Sequence, residues 1–394
     1  MKIVFVCDVF YPYFDGGGVI EVFEKAKNLV KLGHKVIVIC NRNAISANKS
    51  DLFKLKDKEI VEGIEIHRTN RPYTYGAVLS SIPALFQMYK ILKNLIENDE
   101  IDVCIPVQNR PCIPTYLAAR NRKPCVPQWF HTTLKGRLLG FQGWKNYDKS
   151  IFRRIFAWLL ESYVIRLPYE GFFTPSKSSK DDLLKYSKSD KIYIIPPGIN
   201  WEYINNIETP KKKNQVIWVG RFEKQKNITH TIKAVIQARK RIKDLKLVIV
   251  SIGGIEEDKV VEFTQEYDFI KYYKSVSDEE KYRLFKESKV LMHTGSKEGF
   301  GIVLMEGLAC GVPFLAYDIP AMKEAAENTK GGITVPYGDI NSLVHGIVDL
   351  HLDDDFYDNL VCTGRKYVKE NYSWVRIAES MEKILKQIIK DKGI

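Results

Sequence analysis

Lys211-Lys212-Lys213-Asn214-Gln215-Val216-Ile217-Trp218-Val219-Gly220-Arg221 decides the fold, because a pattern that has already run once along the chain starts again there. A solvated lysine run gives way to an apolar, β-rich stretch, Gln215–Gly220, that ends on glycine. Leu245–Ser251, Lys289–His293, Val312–Tyr317 and Gly332–Val335 follow in the same style, with helical patterns between them. Upstream, the same alternation links Ile3–Cys7, Val36–Cys40, Gly63–His67, Ile101–Pro106, Cys125–Phe130, Gly171–Pro175 and Ile192–Pro196. Near-continuous apolar strands joined by amphipathic helices predict parallel sheets covered on both faces. The expectation is α/β: two doubly wound domains, residues 1–205 and 206–373, joined near 200–213. The pattern from Trp374 to Ile389 predicts a long helix, so residues 374–394 would rejoin the first domain.

Composition narrows the class. The 394 residues are 45% hydrophobic and 27% charged, with a formal charge of +12, which excludes a disordered chain and a disulfide miniprotein. Residues 1–200 hold 30 Lys and Arg against 19 acids, and the remainder 30 against 29, so the basic excess belongs to one half. Seven cysteines without a C-x-x-C pair read as buried thiols of a reducing cytosol. The apolar run at the N-terminus is too short for a signal-peptide core. The uncharged stretch from Pro72 to Tyr89 is broken by prolines and polar residues, so a cytoplasmic protein is expected.

Ligands of open α/β sheets gather at the carboxyl ends of strands, so the segments that follow strands are where binding chemistry is expected. After the first strand, Gly16-Gly17-Gly18 precedes a helix, where backbone amides and the helix dipole favour an anion. It is not G-x-G-x-x-G, and a plain glycine-rich loop is the competing reading. After Gln215–Gly220, Arg221 and Lys226 stand five residues apart, a fork and a point charge suited to a diphosphate. The richest segment runs from Gly295 to Pro313: Gly-Ser-Lys-Glu-Gly-Phe-Gly-Ile-Val-Leu-Met-Glu-Gly-Leu-Ala-Cys-Gly-Val-Pro. It leaves a strand, opens a helix near Gly301 and closes it with Gly311. Glu298 falls at the helix entrance and Glu306 interrupts an apolar helix; two carboxylates there could each hold vicinal hydroxyls.

These pieces, with Gly33-His34-Lys35-Val36, Thr174-Pro175-Ser176-Lys177, Ile195-Pro196-Pro197-Gly198-Ile199 and Val335-Pro336-Tyr337-Gly338-Asp339, resemble in order and spacing the family-four retaining glycosyltransferases. The likeness covers nearly the whole chain. It implies the GT-B fold: two Rossmann-like domains facing a cleft, with the C-terminal helix crossing back to the first. It further implies that Arg221 and Lys226 bind the donor diphosphate with the amides of Gly301, Ile302 and Val303. Glu298 would meet the transferred sugar, Glu306 the ribose, and Gly17 and Gly18 the phosphates from the first domain. His131, in Trp129-Phe130-His131-Thr132-Thr133, matches the family's histidine near the sugar, although the threonine after it departs from many relatives.

The implied reaction moves a sugar from a nucleotide sugar to a hydroxyl with retention. Glycosyl–phosphate cleavage leaves extra negative charge on the diphosphate, so fixed positive potential is the main catalytic need. Arg221, Lys226 and a helix dipole would meet it without metal or cofactor. Asp353-Asp354-Asp355 reads as helix-entry charge and not as a metal site. Uridine or guanosine diphosphate is the expected carrier, adenosine also fits, and Gly253-Gly254 and Lys271–Val276 are the expected base-contacting loops. The acceptor would be a glycan, a lipid-linked molecule or a small molecule. The +9 of residues 101–200 suits an anionic membrane surface touched peripherally, and no nucleic-acid module is present. The alternatives are an epimerase or sugar phosphorylase on the same scaffold, and a non-catalytic transferase-like subunit.

Overall fold

A computed structural model describes residues 1–14, 16–42, 51–52, 54–70, 78–130, 134 and 151–393. The chain divides into two compact units. The first holds the described residues up to Gly198 together with those from Trp374 onward, and the second holds Ile199–Ser373.

In the first unit the elements are β1 (Lys2–Cys7), α1 (Gly17–Lys31), β2 (Lys35–Cys40), β3 (Lys58–Val61), β4 (Ile64–Arg68), α2 (Val78–Glu97), β5 (Val103–Pro106), α3 (Asn109–Ala119), α4 (Ile151–Ile165), β6 (Phe172–Thr174), α5 (Lys177–Leu184) and β7 (Ile192–Ile194). Five strands form one sheet in the order β3-β4-β2-β1-β5, parallel except for the edge hairpin β3–β4. Side chains alternate across it, as a period of two requires. Ile3, Phe5, Val36 and Val38 pack beneath α1, while Val4, Val6, Ile37 and Ile39 face the layer of α2, α3 and α4.

Cys125–Phe130, expected as a strand, is instead an extended crossing. Pro106 on β5, which faces Val126, and Pro127 on the β6 side have no N–H to donate, so neither ladder is continuous. Val126 N and Gln128 N bond Cys104 O and Pro106 O on one side, and Trp129 N bonds Phe173 O on the other. The segment thereby joins the large sheet to the parallel pair β6–β7.

The second unit contains α6 (Trp201–Asn206), β8 (Gln215–Val219), α7 (Ile228–Ala238), β9 (Lys246–Ser251), α8 (Glu257–Glu266), β10 (Ile270–Lys274), α9 (Asp278–Glu287), β11 (Val290–His293), α10 (Ile302–Ala309), β12 (Phe314–Tyr317), α11 (Pro320–Thr329), β13 (Gly332–Val335), α12 (Ile340–Leu352) and α13 (Asp354–Asn371). Its six strands are all parallel, in the order β10-β9-β8-β11-β12-β13. The order reverses between β8 and β11, which opens a crevice at their carboxyl ends. Strand β10 replaces most of the loop expected at Lys271–Val276. Its alternation is masked by lysines at both outer positions, as an edge strand tolerates.

Trp374–Asp391 forms α14, which lays Ile377, Met381, Leu385 and Ile388 against the first unit's core beside α1. The chain enters and leaves the second unit side by side, Ile199 N donating to Tyr372 O at 2.5 Å. The expectation of a fully solvated lysine run at 211–213 fails at its middle residue. Lys212 Nζ donates to Ser288 O at 2.7 Å and Gly311 O at 3.1 Å, and burial pushes its ammonium down to about 8. All seven cysteines are free thiols; six are buried, whereas Cys362 is exposed on α13. Among the described residues no helix is long and apolar enough to cross a membrane.

Candidate active site

The loops leaving β8 and β11 meet at the strand-order reversal, and backbone bonds fasten them together. Ser296 N donates to Gln225 O at 2.8 Å, and the Thr294 hydroxyl lies 3.0 Å from both Lys226 O and Asn227 O. Asn227, in the left-handed region at φ 47, starts α7 and sends its amide to Thr294 O at 3.0 Å. A short 3-10 turn over Lys224–Lys226 then aims Lys226 across the join.

There Lys226 Nζ donates to Glu298 Oε1, and the same oxygen lies 3.1 Å from His293 Nε2. The Lys226 and Glu298 side chains keep only 21% and 19% of their exposure, and His293 5%. Burial pushes the Glu298 carboxyl upward, but the Lys226 charge and the His293 hydrogen bond outweigh it, holding the carboxyl well below the usual range. Glu298 is therefore an anion at any physiological pH, with two donors on one oxygen. Arg221 lies on the same loop, 41% exposed, its Nη2 2.9 Å from Glu223 Oε1. Both candidate diphosphate cations are thus paired with carboxylates of their own chain.

Glu306 stands on α10, where Oε1 accepts from Lys281 Nζ at 3.0 Å and Tyr282 OH at 2.9 Å. Both donors come from α9, and Lys281 also reaches Asp278 at 3.0 Å. Burial lowers the Lys281 ammonium, but the two carboxylates raise it further and keep it charged. The helix itself opens at Gly301 with φ +84, where a Cβ would come within 2.7 Å of Met322 Cε, so the position demands glycine. Ile302 and Val303 form the first turn, their amides at the positive end of the helix dipole. Asp353, in the acidic triplet, is the N-cap of α13 and accepts from Phe356 N at 2.9 Å.

In the first unit, α1 begins at Gly17, and a Cβ on Gly18 would approach Phe130 Cε2 to 2.8 Å. One turn further, a buried network appears that sequence reading missed. Lys25 Nζ donates to Glu21 Oε1 at 2.5 Å and Ile195 O at 3.1 Å, and Gln128 Nε2 donates to Glu21 Oε1 at 2.8 Å. It ties the helix behind the glycine turn to the extended crossing and to the chain after β7. His131 lies outside the described residues. His293 was also missed; its signal was positional, as the last residue of a strand five places before Glu298. Lys281 and Tyr282 carry no motif at all.

Two α/β units, each built on a parallel sheet covered by helices, give the GT-B fold. The models "Glycosyltransferase Family 4" and "Glycosyl transferases group 1" match residues 15–203 and 199–367 respectively, and the chain belongs to the group 1 glycosyltransferases. An uncharacterized glycosyltransferase of Methanocaldococcus jannaschii is 26% identical, with both chains covered in full. Sucrose-phosphate synthase from Thermosynechococcus elongatus superposes with a TM-score of 0.77 at 18% identity, covering 99% of this chain and 100% of that one. Anabaena HepE, solved in complex with UDP, gives 0.73 at 17%, covering 98% and 100%.

Proposed function

We propose that this glycosyltransferase moves a sugar from a nucleoside diphosphate sugar to a hydroxyl acceptor with retention and without a metal ion. The observation that carries the reading is the shared carboxylate oxygen of Glu298, held by Lys226 and His293 where the strand order reverses. A diphosphate offers Lys226 more negative charge than one carboxylate does. When it binds, Lys226 turns from Glu298 to the phosphates and is joined by Arg221 and the amides of Gly301, Ile302 and Val303. Glu298 then has lone pairs free for two sugar hydroxyls, while His293 keeps the carboxylate oriented. Glu306, steadied by Lys281 and Tyr282, accepts from the ribose hydroxyls. Gly17 and Gly18 are the first unit's phosphate contacts, and His131 its contact to the sugar.

As the glycosyl–phosphate bond breaks, the cations and helix dipole stabilise the departing diphosphate. The acceptor oxygen attacks from the same face, and its proton passes to a phosphate oxygen. UDP or GDP is the proposed carrier, a reading favoured by the UDP complex of the structurally similar HepE. A lipid-linked or glycan hydroxyl is the proposed acceptor. The test is a thermal-shift screen of nucleoside diphosphates, followed by NMR analysis of products made from the matching nucleotide sugar. Free nucleoside diphosphate and a product retaining the donor's anomeric configuration are expected. An inverted product removes retention, and the same nucleotide bearing an altered sugar makes the enzyme an epimerase.

A further inference from the structure

The network of Lys25, Glu21 and Gln128 is an unusual thing to keep in a core. Lys25 is fully buried, Glu21 and Gln128 retain 5% and 1% of their exposure, and burial pushes the Glu21 carboxyl up and the Lys25 ammonium down. Gln128 turns its amide nitrogen to Glu21, and its own Oε1, likewise buried, has no hydrogen-bond partner. A buried ion pair is often matched in stability by well-packed apolar side chains of the same volume. Stability alone therefore gives no reason for three polar side chains here.

Their placement supplies one. Helix α1 opens without a side-chain cap: Val19 N and Ile20 N return to Gly16 O, and the amides of Gly17 and Gly18 lie ahead of the helix's own hydrogen bonds. Two contacts fix where those amides stand. The Gly18 backbone rests on the Phe130 ring, so closely that a Cβ would come within 2.8 Å of it. One turn on, Glu21 accepts from Gln128, two residues before Phe130. The crossing is itself pinned at this end, Gln108 N donating to Gln128 O at 3.0 Å and Ser179 Oγ to Phe130 O at 3.1 Å. Lys25 adds a third anchor, Ile195 O at 3.1 Å, just after β7. One lysine and one carboxylate thus lock three segments, far apart in sequence, at the carboxyl edge of the first unit's strands.

We infer that Glu21, Lys25 and Gln128 are positioning residues for the transfer step, holding the glycine turn of α1 in register with Phe130 and the segment that leads to His131. The inference rests on the proposed contact of Gly17 and Gly18 with the donor phosphates. Charge on those phosphates grows as the glycosyl bond breaks, so a displaced turn lowers turnover far more than it lowers binding of the diphosphate. The full chain is compared with K25M, with the charge-neutral E21Q/K25M, and with Q128M, which spares the ion pair. Turnover is read as diphosphate released from UDP-glucose and GDP-mannose, per site that binds UDP or GDP in titration calorimetry, and stability as urea unfolding. From K25M to E21Q/K25M stability should recover, while turnover per site stays about 10- to 100-fold below wild type and diphosphate affinity moves by about threefold or less. Q128M should lose turnover by about threefold or more with its fold intact. A merely stabilising network predicts that turnover recovers together with stability. Wild-type turnover in either folded variant, E21Q/K25M or Q128M, therefore overturns the inference. G18A, which drives a methyl group into Phe130, separates this from the reading beneath it and should lose turnover as E21Q/K25M does. Normal turnover in G18A removes the glycine turn from the donor site and the inference with it. A loss in G18A beside normal turnover in E21Q/K25M overturns the positioning role alone.

Discussion

Replacing Glu298 with glutamine should tighten binding of the bare nucleoside diphosphate while it destroys transfer. Lys226 spends its charge on Glu298 in the ligand-free chain, and a diphosphate must win it away. Buried charge-assisted hydrogen bonds contribute about 1.5–3 kcal/mol and exposed ion pairs about 1 or less. A pair that keeps about one-fifth of its exposure falls between, at about 1–2 kcal/mol. The isosteric amide removes most of this competition, so E298Q should bind the diphosphate about 5- to 30-fold more tightly. K226A should bind it about 10-fold or more weakly, since a charged contact is lost. Turnover of the nucleotide sugar should fall about 100-fold or more in E298Q, which lacks the anion that holds the sugar. Titration calorimetry with the diphosphate alone, beside steady-state turnover, separates the two effects. If E298Q binds the diphosphate as weakly as K226A does, Glu298 is not the competitor for Lys226 and the site has been misassembled.

Lys25→Met should cost about 3–5 kcal/mol in urea unfolding, because it strands the Glu21 carboxylate in the core; adding Glu21→Gln should recover more than half, and additive losses would refute the pairing. The Lys212 ammonium titrates near 8 in the fold against 10.5 in an unfolded chain, so the unfolded state binds the extra proton between those values. Stability should therefore gain at most about 3 kcal/mol from this group as pH rises from 8 to 10.5, a gain absent in Lys212→Met when the two unfolding curves are compared. Glu306→Gln should narrow the preference for a ribonucleoside diphosphate over its 2′-deoxy counterpart, by about tenfold for one charged hydrogen bond; an unchanged ratio would remove Glu306 from the ribose.

Much of this was legible along the chain. Strands such as β1, β2 and β8 are continuous apolar runs because both faces of a parallel sheet are buried, so their existence follows from composition alone. The turn after β8 and the entrance to α10 were readable because each confines its charges and glycines to a few consecutive residues. The crossing at Cys125–Phe130 was misread because its apolar residues are those of a strand, while the decisive fact is two missing N–H groups. Strand β10 was missed for the converse reason: an edge position permits the lysines that made it look like a loop.

By itself, then, the sequence determined two α/β halves, the helix that returns to the first, the cations Arg221 and Lys226, and the carboxylates Glu298 and Glu306. Only the tertiary structure decided that Lys226 and Glu298, 72 residues apart, share a hydrogen bond. It also decided that His293 stands on the same oxygen, that α9 supplies Lys281 and Tyr282 to Glu306, and that Lys25 is buried on a carboxylate instead of solvated. The physical reason is the parallel sheet. Its crossover connections place strands distant in sequence side by side, so groups at their carboxyl ends become neighbours through strand order, which no local pattern of residues records.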